Sequence, residues 1–170
     1  DLSKEWLEER GMEAMDGPIN FGDRDKWWGL LIEGFYPPTY SMHYNYPYYQ
    51  QLFETYGFGL YFNQYTYYRL VEEPLPEDNN LKAQRILSNP AYSFEHMKIK
   101  DLPKYTEDFR TVYNKGWAKH EGVKPMTEAQ AATIMRTLKP VIDERIMWFA
   151  YYEDQPVGFF IAIPELNQLF

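Results

Sequence analysis

A short helix with both ends marked is predicted by residues 44–58, which read YNYPYYQQLFETYGF. Asn45 can cap its amino terminus, and Pro47 falls in the first turn, where a missing N–H costs nothing. Gly57 can take the left-handed conformation that ends a helix. Apolar side chains recur at spacings of three and four, which gives the helix one apolar face: Tyr49, Leu52, Phe53 and Tyr56. An aromatic run follows, and its composition predicts a strand over residues 58–70.

The composition of the chain is acidic and aromatic. Across 170 residues the formal net charge is −8, and aromatic residues make up 19% of the total. A protein that binds nucleic acid needs a basic face to neutralise phosphates, so the charge argues against that class of partner. The apolar runs are far shorter than the ~20 residues that a membrane helix needs, which predicts no membrane association.

The reactive residue types exclude several kinds of site. The chain contains no cysteine, which excludes disulfides, thiolate metal sites and cysteine nucleophiles and favours a reducing cytoplasm. The three histidines, His43, His96 and His120, lie in separate segments without ligand spacing, so we expect no metal.

An acidic, proline-bearing segment, residues 72–90, has the composition of a linker and predicts a domain boundary. Before it, residues 1–71 predict the end of a helix, a short strand at Ile19–Phe21, the helix described above, and a strand. After it, residues 91–170 predict a strand, two helices and a two-stranded hairpin. The chain opens within a helix pattern and stops after a strand pattern, which suggests a fragment of a longer protein.

The pattern after the boundary predicts an α/β (α+β) protein with a mixed β-sheet and flanking helices. The first helix begins at Asp101 with Pro103 in its first turn, and the second begins at a capping box formed by Thr127 and Gln130. Both strands of the hairpin are apolar on both faces, so we expect them to be central strands of a sheet covered on two sides.

The order of these elements resembles the GNAT superfamily of acyl-CoA-dependent N-acyltransferases. Tyr44–Phe58 is similar to the region around the fourth helix of that fold, and Asp154–Phe159 looks like the hairpin of its second and third strands. Two further motifs look like those of bacterial proteins built from tandem GNAT-like modules: Asn114 with Trp117, and Pro164–Asn167. The resemblance implies that residues 1–71 are the carboxyl-terminal half of one module and residues 91–170 the amino-terminal half of the next. The missing parts then exist in a longer protein, or the two halves dock like a permuted single module.

The same resemblance implies an activity. It is that of an N-acyltransferase, with N-acetyl transfer as the expected form. The enzyme would move an acyl group from acetyl-CoA or another acyl-CoA to a small-molecule or peptide amine, in a protein that could be a homo-oligomer. The superfamily holds the CoA pyrophosphate on a glycine-rich loop at a helix amino terminus, and this chain contains no such loop. Phe53 stands where many members have the tyrosine that protonates the departing thiolate. These departures leave a second interpretation open, a catalytically silent GNAT-derived binding or scaffolding protein.

Eight side chains are candidate site residues under the resemblance, in three roles. The candidates for catalysis are Tyr44, Tyr48 and Tyr49; those for cofactor binding are Asn45 and Phe53; and those for substrate binding are Asn114, Trp117 and Trp28. A tyrosine could act as a displaced general acid, although a packed helix with hydroxyls reaching backbone or water explains the same tyrosines. The two tryptophans are equally compatible with core packing.

Overall fold

The computed structural model describes residues 2–18, 29–117 and 124–169. The chain divides into two units by its internal contacts. The first comprises Asp1–Arg69 with Glu165–Phe170, and the second comprises Leu70–Pro164. The assignment of each part to half of a GNAT-like module stays a prediction. Trp28 and the strand predicted at Ile19–Phe21 lie outside the described residues.

The first unit contains the helix predicted within residues 44–58. Its helices are α1 (Leu2–Glu8) and α2 (Tyr48–Tyr56), and a 3-10 turn at Leu166–Leu169 follows near the end of the chain. Gly57 ends α2 with a left-handed φ of 107°, so the prediction of a glycine cap is confirmed. The prediction that Asn45 caps the helix is wrong, because α2 starts at Tyr48 and Pro47 occupies the N-cap position.

The strand predicted over residues 58–70 is not formed. Residues 59–70 have no regular secondary structure, and every one of them is exposed. Tyrosine, phenylalanine and threonine favour strands only where a neighbouring strand supplies hydrogen-bond partners and side chains to pack against. The residues of this segment therefore favour a strand, but no described strand pairs with them.

The second unit is an α+β structure built on a three-stranded sheet. Its helices are α3 (Glu77–Leu87), α4 (Leu102–Trp117) and α5 (Glu128–Leu138), and its strands are β1 (Tyr92–His96), β2 (Met147–Tyr152) and β3 (Gln155–Ile161). The strand order is β1-β2-β3, and both pairs are antiparallel. The mixed sheet that we predicted is therefore not seen in the described strands. The two helices between β1 and β2 return the chain in the opposite direction, and a hairpin does the same between β2 and β3.

Two predictions for the second unit are confirmed, the capping box of α5 and the two-stranded hairpin of β2 and β3. The backbone N–H of Thr127 donates to Gln130 Oε1 at 2.9 Å, and the N–H of Gln130 donates back to Thr127 Oγ1, which completes the capping box of α5. The two-residue turn of the hairpin is made by Glu153 and Asp154, with φ of 48° and 61°. Both values are positive, as in the turns that match the twist of antiparallel strands.

Helix α3 occupies most of the segment predicted as a linker. Its first turn carries Glu77 and Asp78, whose negative charges favour a helix amino terminus, and its last turn carries Arg85. None of its side chains is buried. The composition of a linker and that of an exposed helix are alike here, because neither contributes apolar residues to a core.

The hydrophobic core lies between one face of the sheet and helices α4 and α5. It consists of Met97, Tyr105, Met135, Met147, Phe149 and Tyr151. Alternate residues of β2 face the other way, and Trp148 and Tyr152 remain 39% and 38% exposed. Our expectation of a sheet covered on both faces is therefore wrong for the described part of the chain, where β3 is an edge strand and one face is open.

Candidate functional site

The tyrosines at the start of α2 form an exposed stack. The ring centroids of Tyr46 and Tyr48 are 5.7 Å apart with planes 10° from parallel, and those of Tyr48 and Tyr49 are 4.9 Å apart. The three side chains are exposed to between 38% and 63%. The stack thus presents ring faces and phenol groups to solvent from one helix end.

The hydroxyl of Tyr48 is a weaker acid than an ordinary phenol. Loss of hydration by burial raises its pKa, and the charge and hydrogen bond of neighbouring Tyr49 add to the effect. A general acid works best when its pKa lies near the working pH. Tyr48 therefore keeps its proton at neutral pH but gives it up less readily than a solvated tyrosine.

Tyr44 lies apart from this stack. Its ring meets that of Phe35 edge to face, with centroids 6.4 Å apart, and the side chain is 57% exposed. Of the three catalytic candidates, the structure brings Tyr48 and Tyr49 into contact with each other, whereas Tyr44 contacts an aromatic residue of the preceding loop.

Asn45 holds two segments of the first unit together. Its Oδ1 accepts from the backbone N–H of Leu31 at 2.8 Å, and its Nδ2 donates to the carbonyl of Leu31 at 3.1 Å. Nδ2 also donates to the carbonyl of Tyr46. Both the oxygen and the nitrogen of the Asn45 amide therefore bind backbone groups, and its predicted role in cofactor binding stays a prediction.

Phe53, the second cofactor candidate, packs within the same unit. Its ring meets Phe58 with centroids 5.2 Å apart. The N–H groups of Gly57 and Phe58 both donate to the carbonyl of Phe53, which fixes the two rings across the left-handed turn. Phe53 thus helps to close the helix end, and its side chain carries no proton for acid catalysis.

A cleft of about 340 Å³ opens between α1 and the end of α2. Apolar and charged residues line it together: Lys4, Leu7, Glu8, Met12, Glu13, Ala14, Met15, Tyr56, Gly57 and Phe58. Methionine and aromatic walls suit an apolar chain, because flexible thioethers fill irregular gaps. No feature of the sequence alone pointed to this cleft, since it joins two segments some 40 residues apart.

The Pro164–Asn167 motif has a clear structural role. The Glu165 carboxylate accepts from the backbone N–H of Tyr40 at 2.9 Å, and Asn167 Nδ2 donates to the carbonyl of Pro38 at 2.9 Å. Both partners belong to the first unit. The motif therefore ties the end of the chain to the Pro37–Pro38 loop.

The substrate candidates Asn114 and Trp117 lie in the second unit. Asn114 Oδ1 accepts from the N–H of Met126 at 2.7 Å, and Nδ2 donates to the Met126 carbonyl at 3.0 Å. The amide thus repeats the two-bond clamp of Asn45 on a different segment. Trp117 is 53% exposed, and its ring centroid lies 6.5 Å from that of Tyr113.

A charged cluster that the sequence analysis missed lies where α4 meets the sheet. Lys104 Nζ donates to Glu95 Oε1 at 2.7 Å, to Asp108 Oδ2 at 3.0 Å and to the hydroxyl of Tyr151. The Tyr151 hydroxyl in turn donates to Asp108 at 2.6 Å. Tyr105 completes the cluster by donating to Glu95 and to the carbonyl of His96.

Hydrogen bonds, charges and burial within the cluster shift the pKa values of Lys104, Glu95 and Tyr105. Burial works to lower the pKa of Lys104, but hydrogen bonds to Glu95, Tyr151 and Asp108 raise it well above its usual range. The hydrogen bond from Lys104 holds the pKa of Glu95 below normal. Burial, followed by the charge of Glu95, raises the pKa of Tyr105 to about 12. All three groups keep their ordinary charge states at neutral pH, which marks the cluster as a structural network.

One signal in the sequence could have indicated this cluster. Lys104 and Asp108 are four residues apart, which places them on one helix face. Glu95 and Tyr151 join them only through the pairing of β1 with β2, which aligns Ser93 with Tyr151 and Glu95 with Phe149. That register is not readable from the sequence of either strand.

The described residues contain neither a candidate metal site nor a candidate membrane span. No group of three or more His, Asp or Glu side chains is arranged to hold a metal ion. Among the helices that the structure resolves, none combines the length and apolarity needed to cross a membrane.

Comparison with known proteins gives two curated relatives over almost the whole chain. The sequence is 27% identical over 170 residues to the bacterial ceramide synthase of Caulobacter vibrioides, a match that covers 98% of this chain and 43% of that protein. It is 24% identical over 173 residues to protein YghO of Escherichia coli, covering 96% and 42%. The chain thus spans less than half the length of these relatives. No protein-family model matches it, and no solved structure matches it significantly.

Proposed function

We propose that this chain is part of a GNAT-like N-acyltransferase that moves an acyl group from an acyl-CoA to the amine of a long-chain amino alcohol. The observation that carries the proposal is the similarity, over 98% of the chain, to a bacterial ceramide synthase. A ceramide is the amide of a fatty acid with a long-chain amino alcohol. Making this amide from an acyl-CoA and an amine is N-acyl transfer. The resemblance to the GNAT superfamily implies the same class of reaction.

Two structural features support the same proposal. The second unit is an α+β structure in which two helices join β1 to a β2–β3 hairpin. The first unit contains a helix that ends in a left-handed glycine followed by phenylalanine. These are the parts on which the resemblance to GNAT-like modules rests, and they fall in separate units.

The proposed reaction needs few side chains. The neutral amine attacks the thioester carbonyl, the nitrogen loses a proton to solvent or a base, and the tetrahedral intermediate expels the CoA thiolate, which then takes up a proton. Positioning of the two substrates and backbone N–H groups aimed at the oxyanion supply most of the rate enhancement in such a step. Tyr48 and Tyr49 are our candidates for returning the proton to the thiolate.

The cleft beside α1 and α2 is our candidate for the site of an apolar chain. Its volume of about 340 Å³ and its walls of methionine, leucine and aromatic side chains suit part of a fatty acyl or amino-alcohol tail. Lys4, Glu8 and Glu13 also line the cleft and add charged groups to its apolar side chains.

Incubation of the full-length protein with palmitoyl-CoA and a long-chain amino alcohol tests the proposal. We expect release of free CoA thiol that requires both substrates, together with the amide product by mass spectrometry. Tyr49→Phe should lower kcat by about tenfold or more if its hydroxyl donates the proton, while Tyr61→Phe, an exposed tyrosine outside α2, should leave the rate unchanged. Absence of amide with any acyl length from acetyl to palmitoyl would defeat the proposal.

A second function is favoured by one observation. Phe53 occupies the acid position and uses its ring to pack on Phe58, which fits a protein that binds acyl-CoA or a lipid without turnover. Calorimetry separates the two cases, because the silent protein would bind palmitoyl-CoA with no thiol released over hours.

A further inference from the structure

Residues 165–167, which we term the strap, bind a turn at residues 39–42 within the first unit. The Glu165 carboxylate accepts from the backbone N–H of Tyr40, with Oε1 at 2.9 Å and Oε2 at 3.2 Å. The backbone N–H of Asn167 donates to Glu165 Oε1 at 2.8 Å. The strap therefore fixes its own carboxylate in the position from which it binds the turn.

One peptide unit of the turn, the one that joins Thr39 to Tyr40, contacts both the strap and the rest of the turn. Its N–H donates to Glu165, and its carbonyl accepts from the N–H of Met42 at 3.0 Å. Because a peptide unit is planar, its N–H and its carbonyl rotate together. A rotation that breaks the bond to Glu165 therefore also breaks the bond that closes the turn.

The turn contains a residue in a strained backbone conformation. Ser41 has a φ of 68°, in the left-handed region where a Cβ crowds the following carbonyl oxygen. A turn whose third residue is left-handed usually has glycine at that place. The backbone of Ser41 therefore favours opening of the turn, and the bonds from the strap and from Met42 oppose it.

The side chain of Asn45 holds the chain beyond the turn. Its amide binds the backbone N–H and carbonyl of Leu31, and neither bond involves the strap. Tyr44 lies between the turn and Asn45, with its ring against Phe35. Opening of the turn would therefore release the chain as far as Tyr44 and leave the bonds of Asn45 in place.

We propose that the strap and the turn form a two-state latch. In the closed state, which this structure shows, Glu165 and Asn167 hold the turn while Ser41 is left-handed. In the open state the peptide unit between Thr39 and Tyr40 rotates, its two bonds break together, and Ser41 relaxes. The latch does not depend on the enzymatic activity proposed above.

Hydrogen exchange of single backbone amides, measured by NMR on the full chain, tests the latch. Glu165→Ala removes an ionised acceptor and should accelerate exchange at Tyr40 and at Met42 by one common factor, about tenfold or more. Glu165→Gln keeps an acceptor without the charge and should have a smaller effect on the same two amides. Gln168→Ala is the matched control, because the side chain of Gln168 makes none of the bonds described above, and it should change neither amide.

A second substitution acts on the strained residue instead of the strap. Ser41→Gly removes the cost of a left-handed side chain but gains freedom in the open state, so it should slow exchange at Tyr40 and Met42 about threefold. In the double variant with Glu165→Ala it should restore part of the lost protection. Faster exchange at Tyr40 in Glu165→Ala with Met42 unchanged would overturn the proposal, because the two bonds would then break independently.

The amide of Leu31 separates opening of the latch from unfolding of the first unit. Its N–H donates to Asn45 Oδ1, which lies outside the strap and the turn. Exchange at Leu31 should be the same in every variant. Acceleration at Leu31 equal to that at Tyr40 would also overturn the proposal, because the strap would then stabilise the unit as a whole.

Discussion

Asn45 and Asn114 make the same pair of hydrogen bonds to the backbone. Each binds the N–H and the carbonyl of a single distant residue, Leu31 and Met126 respectively. An amide side chain can do this because it carries both an acceptor and a donor in one plane. The same property suits a ligand contact, so the roles predicted for Asn45 and Asn114 in cofactor and substrate binding stay predictions beside the backbone bonds that the structure shows.

Tyr105 makes the stability of the second unit sensitive to alkaline pH. Its pKa is raised to about 12 in the folded protein, against about 10 for a solvated tyrosine. The unfolded chain therefore loses this proton first, so the contribution is complete below pH 10 and is lost as the pH rises toward 12. We expect Tyr105→Phe to reduce the fall in unfolding free energy between pH 9 and 11 by about 1–2 kcal/mol, as measured by urea titration of tryptophan fluorescence.

Tyr113→Phe is the matched control for that measurement, because Tyr113 lies on the same helix and outside the polar cluster. It should leave the alkaline slope unchanged. If Tyr105→Phe lowered the stability equally at every pH, the hydroxyl would act only through its hydrogen bonds to Glu95 and His96, and the titration argument would be wrong.

Helix α2 depends on the left-handed residue at its end. A Cβ built on Gly57 meets no atom within 4 Å, so the cost of Gly57→Ala is confined to the backbone conformation at φ 107°. That cost is about 1 kcal/mol or slightly more, which corresponds to roughly fivefold more frequent opening of the helix. Hydrogen exchange of the α2 amides should accelerate by that factor.

Gly59 is the control for Gly57, because it lies two residues further along the chain and is not left-handed. A Cβ there is also free of contacts within 4 Å, and its φ lies outside the left-handed region. Gly59→Ala should be neutral or slightly stabilising, because alanine restricts the unfolded chain. Equal effects of the two substitutions would mean that the left-handed turn does not limit the stability of α2.

The elements that could be predicted from sequence are those specified by neighbouring residues. The end of α2 at Gly57 and the capping box of Thr127 depend on groups within four residues of each other, so their signals are local. Strand pairing depends on distant segments. For this reason the strand over residues 58–70 was predicted from propensity alone and is absent. The apolar pattern of the hairpin strands likewise gives no sign that the hydroxyl of Tyr151 donates to Asp108.

At the scale of the whole molecule, burial is uneven. Every described side chain that is fully buried belongs to the second unit, where one core joins α4, α5 and the sheet. In the first unit the described residues are held by backbone clamps and ring contacts instead. Local stability follows the density of buried apolar contacts, so we expect the two units to open with different free energies.

Hydrogen exchange tests this expectation with one core substitution. Amides of β2, the central strand, should exchange last, and those of α2 should exchange much sooner. Phe149 is 1% exposed, and Phe149→Ala should cost about 3 kcal/mol or more, which accelerates exchange in β2 more than a hundredfold. Phe160→Ala, at a side chain 64% exposed on the neighbouring strand, should change it little. Exchange in α2 should be the same in both variants, because the core that contains Phe149 does not include it. A parallel acceleration in α2 would show that the two units unfold as one.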